Sequence, residues 1–215
     1  TAGSYAWHEG SWAMGVGYSE RAAADLPWHV VAYDFGVKRN ILRMLVDHGC
    51  RLTVVPAQTS AAEVLAMKPD GIFLSNGPGD PEPCTYAVDA IRAFLETDIP
   101  VFGICLGHQG IAEVYGASLF NIPKVLHGVT SQTEIKDPDE YLFKGVPLQF
   151  QATHYHSWAV LPEGITPELK VTAVNDEGII MGLRHTKYDV KGLQFHPESI
   201  MTPEGPKMIK NWLNN

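Results

Sequence analysis

From residue 28 to about residue 116 the chain switches repeatedly between two hydrophobic periods. Val30-Val31-Ala32-Tyr33 is a continuous apolar run closed by Asp34-Phe35-Gly36, the pattern of a strand buried on both faces that enters a loop. Ile41, Leu42, Leu45 and Val46 then recur at helical spacing, with Gly49 as a helix stop. The unit repeats: strand over 52–55, helix over 61–67, strand over 71–74, helix over 86–95 and strand over 101–104. A further helix carries Ile111 to Tyr115. Such alternation predicts an α/β fold: an open, mainly parallel sheet with helices on both faces. Beyond Gly116 the pattern changes to short β-branched runs at 129–135, 169–174, 179–183 and 190–195, which predict extra, partly antiparallel strands. A last helix is expected over 203–213. Residues 1–27 lack sustained periodicity and read as an irregular leader that lays Tyr5, Trp7 and Trp12 on the surface of a domain over 28–215.

Composition narrows the class without naming a reaction. The 215 residues are 45% hydrophobic and 19% charged, enough apolar material for a sizeable core. A net charge of −8 disfavours a nucleic-acid partner. No apolar stretch approaches the roughly 18 residues of a membrane span, and no basic start precedes an apolar block. Cys50, Cys84 and Cys105 are odd in number and form no Cys-x-x-Cys unit, which suits a reducing, cytoplasmic setting. His154 and His156 could share one face of a strand, but they lack a third ligand, so no metal and no cofactor is expected. His127 and His185 read as surface or loop residues. The run Asp137-Pro138-Asp139-Glu140 reads as a solvated loop.

Three segments carry chemistry. In Gly103-Ile104-Cys105-Leu106-Gly107-His108-Gln109 an apolar strand runs into a glycine-flanked turn and then a helix, the geometry of a nucleophile elbow with cysteine in the nucleophile's place. The turn sets the sulfur at the C-terminal edge of the sheet, and the helix N-terminus is expected to favour thiolate. A buried core cysteine at a strand end is the plainer alternative. Phe195-His196-Pro197-Glu198-Ser199 closes the last predicted strand, where His196 and Glu198 would share a face as base and orienting carboxylate. Surface decoration is the alternative there. Ser75-Asn76-Gly77-Pro78-Gly79-Asp80-Pro81 follows the strand at 71–74. It is either an ordinary turn or the source of one oxyanion-binding N–H, with the Leu106 N–H as the second. A phosphate cradle is disfavoured because no Gly-x-x-x-x-Gly-Lys-Ser/Thr occurs.

Together and in this order, these segments resemble a class I glutamine amidotransferase domain over about residues 28–213. The resemblance implies Cys105 as nucleophile, His196 as base and Glu198 as its partner, with oxyanion donors at the backbone of Gly79 and Leu106. It implies substrate contacts at Gly77 and Gln109 and at Tyr155, His156, Ser157 and Trp158. It further implies hydrolysis of L-glutamine through a γ-glutamyl thioester and transfer of ammonia to a partner synthase. Residues 1–109 are similar to the small subunit of carbamoyl-phosphate synthetase. Residues 111–215 are similar to the glutaminase component of anthranilate or aminodeoxychorismate synthase, which would make the partner a chorismate-using subunit instead. A change near Gly110 fits a chimera, a reconstructed ancestor or a designed sequence. A cysteine hydrolase of γ-glutamyl or peptide bonds on the same fold, and a non-catalytic binding subunit, are the competing functions.

Overall fold

The computed structural model describes residues 1–78, 85–94 and 97–214. Its strands are β1 (Tyr5–Trp7), β2 (Glu9–Ala13), β3 (Gly17–Glu20), β4 (Trp28–Asp34), β5 (Cys50–Pro56), β6 (Gly71–Leu74), β7 (Val101–Ile104), β8 (Leu119–Ile135), β9 (Gln149–Val160), β10 (Leu169–Asn175), β11 (Ile180–His185) and β12 (Val190–Leu193). The helices are α1 (Arg39–Asp47), α2 (Ala61–Ala66), α3 (Thr85–Phe94), α4 (Leu106–Val114) and α5 (Gly205–Leu213). Ten strands form one sheet in the order β1-β5-β4-β6-β7-β12-β11-β10-β8-β9. Strands β5, β4, β6, β7 and β12 run parallel to their neighbours within that block, and β11, β10, β8 and β9 continue it antiparallel.

The predicted helix coverage of both faces follows from the two-residue period of β4. Val30 and Ala32 pack with Ile41, Leu42 and Leu45 of α1 and Met208, Ile209 and Trp212 of α5. Val31 and Tyr33 point the other way, against Val64 of α2, Ile91 and Phe94 of α3 and Leu106 and Ile111 of α4. Ser60 caps α2 through a reciprocal pair with Glu63, which ends the preceding loop sharply.

Three expectations differ from what forms. The first 27 residues are not irregular: β1 adds to the sheet edge antiparallel to β5, and β2 and β3 make a hairpin against α1. Strand β9 is absent from the hydrophobic pattern because His154 and His156 on one face and Thr153 on the other are buried polar residues that mask the alternation. The run from Asp137 to Glu140 is not a solvated loop. Asp137 and Glu140 are buried and meet Lys170, Arg184 and Lys191, with Asp137 bonded to Arg184 at 2.8 Å and Lys170 at 2.9 Å. Two buried carboxylates are tolerable only because cations compensate them.

Candidate active site

The site lies where β7 and β12 end side by side. Leu193 of β12 stands opposite Ile104 of β7 in parallel register, so the segments that leave the two strands emerge together at one edge of the sheet. Cys105 follows Ile104. Its backbone has φ +53° and ψ −102°, a conformation side-chain-bearing residues rarely adopt, and its N–H is held by the Leu193 carbonyl at 2.8 Å. Space for that turn comes from glycines. A Cβ on Gly103 would stand 2.5 Å from the Gly107 carbonyl carbon, and one on Gly107 would stand 2.7 Å from the Leu74 Cβ. Gly77 is needed for the same reason, since a Cβ there would reach Leu106 Cδ2 at 2.6 Å.

Cys105 is buried, and burial pushes its thiol up to about 12. The Leu106 N–H and Lys38 work in the other direction, and Glu198 adds to the rise. The expected thiolate is therefore not the resting form. Desolvation outweighs the helix terminus, and the sulfur must lose its proton to a base as it reacts.

Beyond Leu193 the chain leaves the sheet. His196 and Glu198 do not sit on a strand, as alternation predicts, but in a turn closed by Ser199 N–H to the His196 carbonyl at 3.3 Å. They still meet: His196 Nδ1 and Glu198 Oε1 are 2.7 Å apart. With Nδ1–H donated to the carboxylate, Nε2 is left as the basic nitrogen, and it is buried without a partner among the described residues. The turn is tethered from three sides. The His196 N–H bonds the Thr153 carbonyl at 3.0 Å, Asn40 Nδ2 bonds the Glu198 carbonyl at 2.8 Å, and the Thr202 hydroxyl accepts the Thr153 N–H at 3.0 Å. Burial would raise the Glu198 carboxyl, but the His196 hydrogen bond and the charges of His196 and Lys38 win and hold it below the usual glutamate range. A depressed carboxyl contributes stability above its unfolded pKa and loses it as pH falls. Thermal melts from about pH 6 to about pH 3 are therefore expected to show the parent losing stability faster than Glu198→Gln below about pH 4.5, the ordinary glutamate value. Parallel curves would contradict this.

Lys38 joins the site although nothing in its local sequence assigns it a task. Its Nζ lies 3.4 Å from Glu198 Oε1, 3.4 Å from His196 Nδ1 and 3.4 Å above the Tyr155 ring. Tyr155 in turn presents its ring edge-on to His196, with centroids 5.0 Å apart. Only a folded chain brings residue 38 to residue 198, so periodicity could not reveal this contact. The Lys38 N–H is itself held by Asn76 Oδ1 at 3.1 Å, and Gly107 N–H reaches the Ser75 carbonyl at 3.2 Å. The loop after β6 thus binds the loop after β4 to the elbow.

The remaining expected positions divide. Gln109 is buried one turn beyond Cys105, its Nε2 bonded to the Trp158 carbonyl at 2.8 Å and to Gln194 Oε1 at 3.0 Å. His156 Nδ1–H also donates to the Trp158 carbonyl, at 2.9 Å, and burial drives its pKa down to about 3, so it is neutral. Tyr155, Ser157 and Trp158 are half-buried on the same strand. Leu106 opens α4 beside the sulfur. Gly79 and Cys84 lie outside the described residues. Cys50 is buried in the core. His185 is not a surface residue: it is buried, and its Nδ1 accepts the backbone N–H groups of Lys187 and Tyr188 at 3.0 and 2.8 Å. His154 bonds Ser131 at 2.7 Å.

A family model for glutamine amidotransferase class I matches residues 31–215. The chain belongs to that family. Among curated relatives, it is 50% identical over 206 residues to the carbamoyl phosphate synthase small chain of Vibrio cholerae, covering 94% of this chain and 52% of that one. It is 51% identical over 205 residues to the small chain of Salmonella typhimurium, again covering 94% of this chain and 52% of that one. The chain thus spans about half the length of these relatives. Similarity to carbamoyl phosphate synthase small chains extends past Gly110 through nearly the whole sequence; the second likeness expected for 111–215, and the junction it implied, are not shown by these comparisons. The amidotransferase fold is shared with a glutamine amidotransferase of Thermotoga maritima at TM-score 0.64 and 19% identity, covering 86% of this chain and 80% of that one. A Thermoplasma acidophilum protein described as part of a GMP synthase reaches TM-score 0.78 at 22% identity, over 86% of this chain and 92% of that one. Among the described residues no helix is long and apolar enough to cross a membrane.

Proposed function

We propose that the chain hydrolyses L-glutamine to glutamate and ammonia, with Cys105, His196 and Glu198 as the reacting constellation, and that the ammonia passes to a carbamoyl-phosphate-type synthase subunit. The observation that carries this reading is the Nδ1 bond of His196 to Glu198, which leaves a buried Nε2 without a partner among the described residues, in the turn that follows the strand paired with that of Cys105. His196 takes the thiol proton as sulfur attacks the glutamine amide carbon. The tetrahedral oxyanion falls to the Leu106 N–H and, as the resemblance implies, to the Gly79 N–H. The imidazolium protonates the departing nitrogen, ammonia leaves, and neutral His196 then draws a proton from water as it cleaves the γ-glutamyl thioester. Each proton that enters the imidazole leaves it again, so the cycle closes. Glu198 keeps Nε2 facing the reaction and stabilises the transient cation.

A chorismate-using synthase is the second partner class, favoured by the segments Leu126-His127-Gly128-Val129-Thr130-Ser131, Tyr155-His156-Ser157 and Gln194-Phe195-His196-Pro197-Glu198-Ser199-Ile200-Met201-Thr202. Ammonia release from glutamine would be measured in the presence of one synthase or the other. Only the carbamoyl-phosphate large subunit is expected to stimulate it. Stimulation confined to a chorismate-using subunit would reassign the partner, and turnover of γ-glutamyl peptides in preference to free glutamine would overturn the substrate.

A further inference from the structure

Gln194 holds a position to which neither the sequence motifs nor the similarity to known proteins gives a role. It is the first residue beyond β12, fully buried, with its backbone N–H fixed to the Met181 carbonyl at 3.0 Å. The preceding carbonyl, of Leu193, is the one that holds the Cys105 N–H. Its side-chain oxygen accepts the Gln109 amide at 3.0 Å. That orientation turns both hydrogens of its own Nε2 away from Gln109, and Nε2 has no acceptor among the described residues although it is sealed from water. An amide donor left without an acceptor in a dry site is costly, and it is tolerated where an acceptor arrives during function.

We propose that Gln194 is a positioning residue with two separate actions: its oxygen locks the Gln109 side chain in place for substrate, and its unpaired amide hydrogens serve the Cys105 sulfur when that sulfur carries negative charge. The inference rests on the glutaminase reading for its first action only. Gln194 is among the groups that lower the Cys105 thiol against its burial. Gln109 is thereby gripped from two strands, by Trp158 on β9 and by Gln194 past β12, while itself riding on α4.

Two substitutions separate the actions. Gln194→Met keeps length and apolar volume but removes acceptor and donor. Gln194→Glu keeps an acceptor for Gln109 but removes the donor and adds a charge beside the sulfur. For Gln194→Met, KM for glutamine is expected to rise about tenfold, the loss of roughly one buried hydrogen bond. Cys105 alkylation by iodoacetamide at fixed alkaline pH is expected to slow about tenfold in both variants, because less thiolate is present. For Gln194→Glu, KM is expected to stay within about twofold of the parent. An unchanged KM in the methionine variant overturns the hold on Gln109; unchanged alkylation in both variants overturns the service to sulfur. If the methionine variant fails to melt cooperatively, Gln194→Leu decides: parent-like KM overturns the first action, and parent-like alkylation overturns the second. Alkylation needs no turnover, so a parent without glutaminase activity would sink the proposed function and leave the sulfur test standing.

Discussion

Cys105→Ala is expected to abolish ammonia release from glutamine, by at least about 10⁴-fold in kcat, while leaving the fold intact. The size follows from the chemistry. Without sulfur there is no thioester, and His196 would have to activate water directly against an unactivated amide. The substitution removes one buried atom from a turn whose backbone is held by the Leu193 carbonyl and by the Gln109 N–H on the Cys105 carbonyl at 3.0 Å. A melt close to that of the parent should therefore accompany the loss. Covalent capture by an electrophilic glutamine analogue should vanish in the same variant. Iodoacetamide, which recruits no general base, should label the parent slowly at neutral pH and faster as pH rises toward about 12. Normal ammonia release by Cys105→Ala would end the assignment of the nucleophile. Rapid neutral-pH labelling would instead show that the thiolate forms unaided.

Gly107→Ala is the second large effect, and it acts on geometry. The added methyl would overlap the Leu74 carbonyl and sit 2.7 Å from the Leu74 Cβ and 2.8 Å from the Leu74 carbonyl carbon. Both belong to a rigid strand at the centre of the sheet, so α4 must move. Overpacking against backbone costs about 3 kcal/mol, a fall of about 6 to 12 °C in Tm for a chain this long. Because α4 begins at Leu106, the same displacement carries the Leu106 N–H and Cys105 away from His196, and a shift of about 1 Å costs about 10²-fold in rate. Gly110→Ala on the same helix is the control. Among the described residues its methyl would meet only Ile91 Cδ1, at 3.1 Å, the mobile end of a side chain. Activity and Tm near those of the parent are expected there. Equal damage at both positions would mean that α4 tolerates no added volume anywhere and that the elbow is not special.

How far the chain could be read depended on where the information lay. The strands at Gly71–Leu74 and Val101–Ile104 form at the residues their apolar runs mark, because a strand buried on both faces needs nothing but hydrophobes. Strand β9 carries no such mark, since its buried positions include His154 and His156 on one face and Thr153 on the other, which are accommodated in the interior by hydrogen bonds such as that of His154 to Ser131. His196 and Glu198 are legible as a pair, but for the wrong local reason: a turn, not strand alternation, brings them together.

By itself the sequence determined the α/β class, the glycine-framed elbow at Cys105 and the identity of the groups that could act with it. These are local properties, set by hydrophobic period and by the absence of side chains at Gly103 and Gly107. Only the tertiary structure decided the protonation of the thiol, the placement of Lys38 on Glu198 and Tyr155, and the grip of Gln194 on Gln109. Each depends on burial and on distances between residues far apart in the chain, and neither quantity exists until β4, β7, β9 and β12 stand in one sheet.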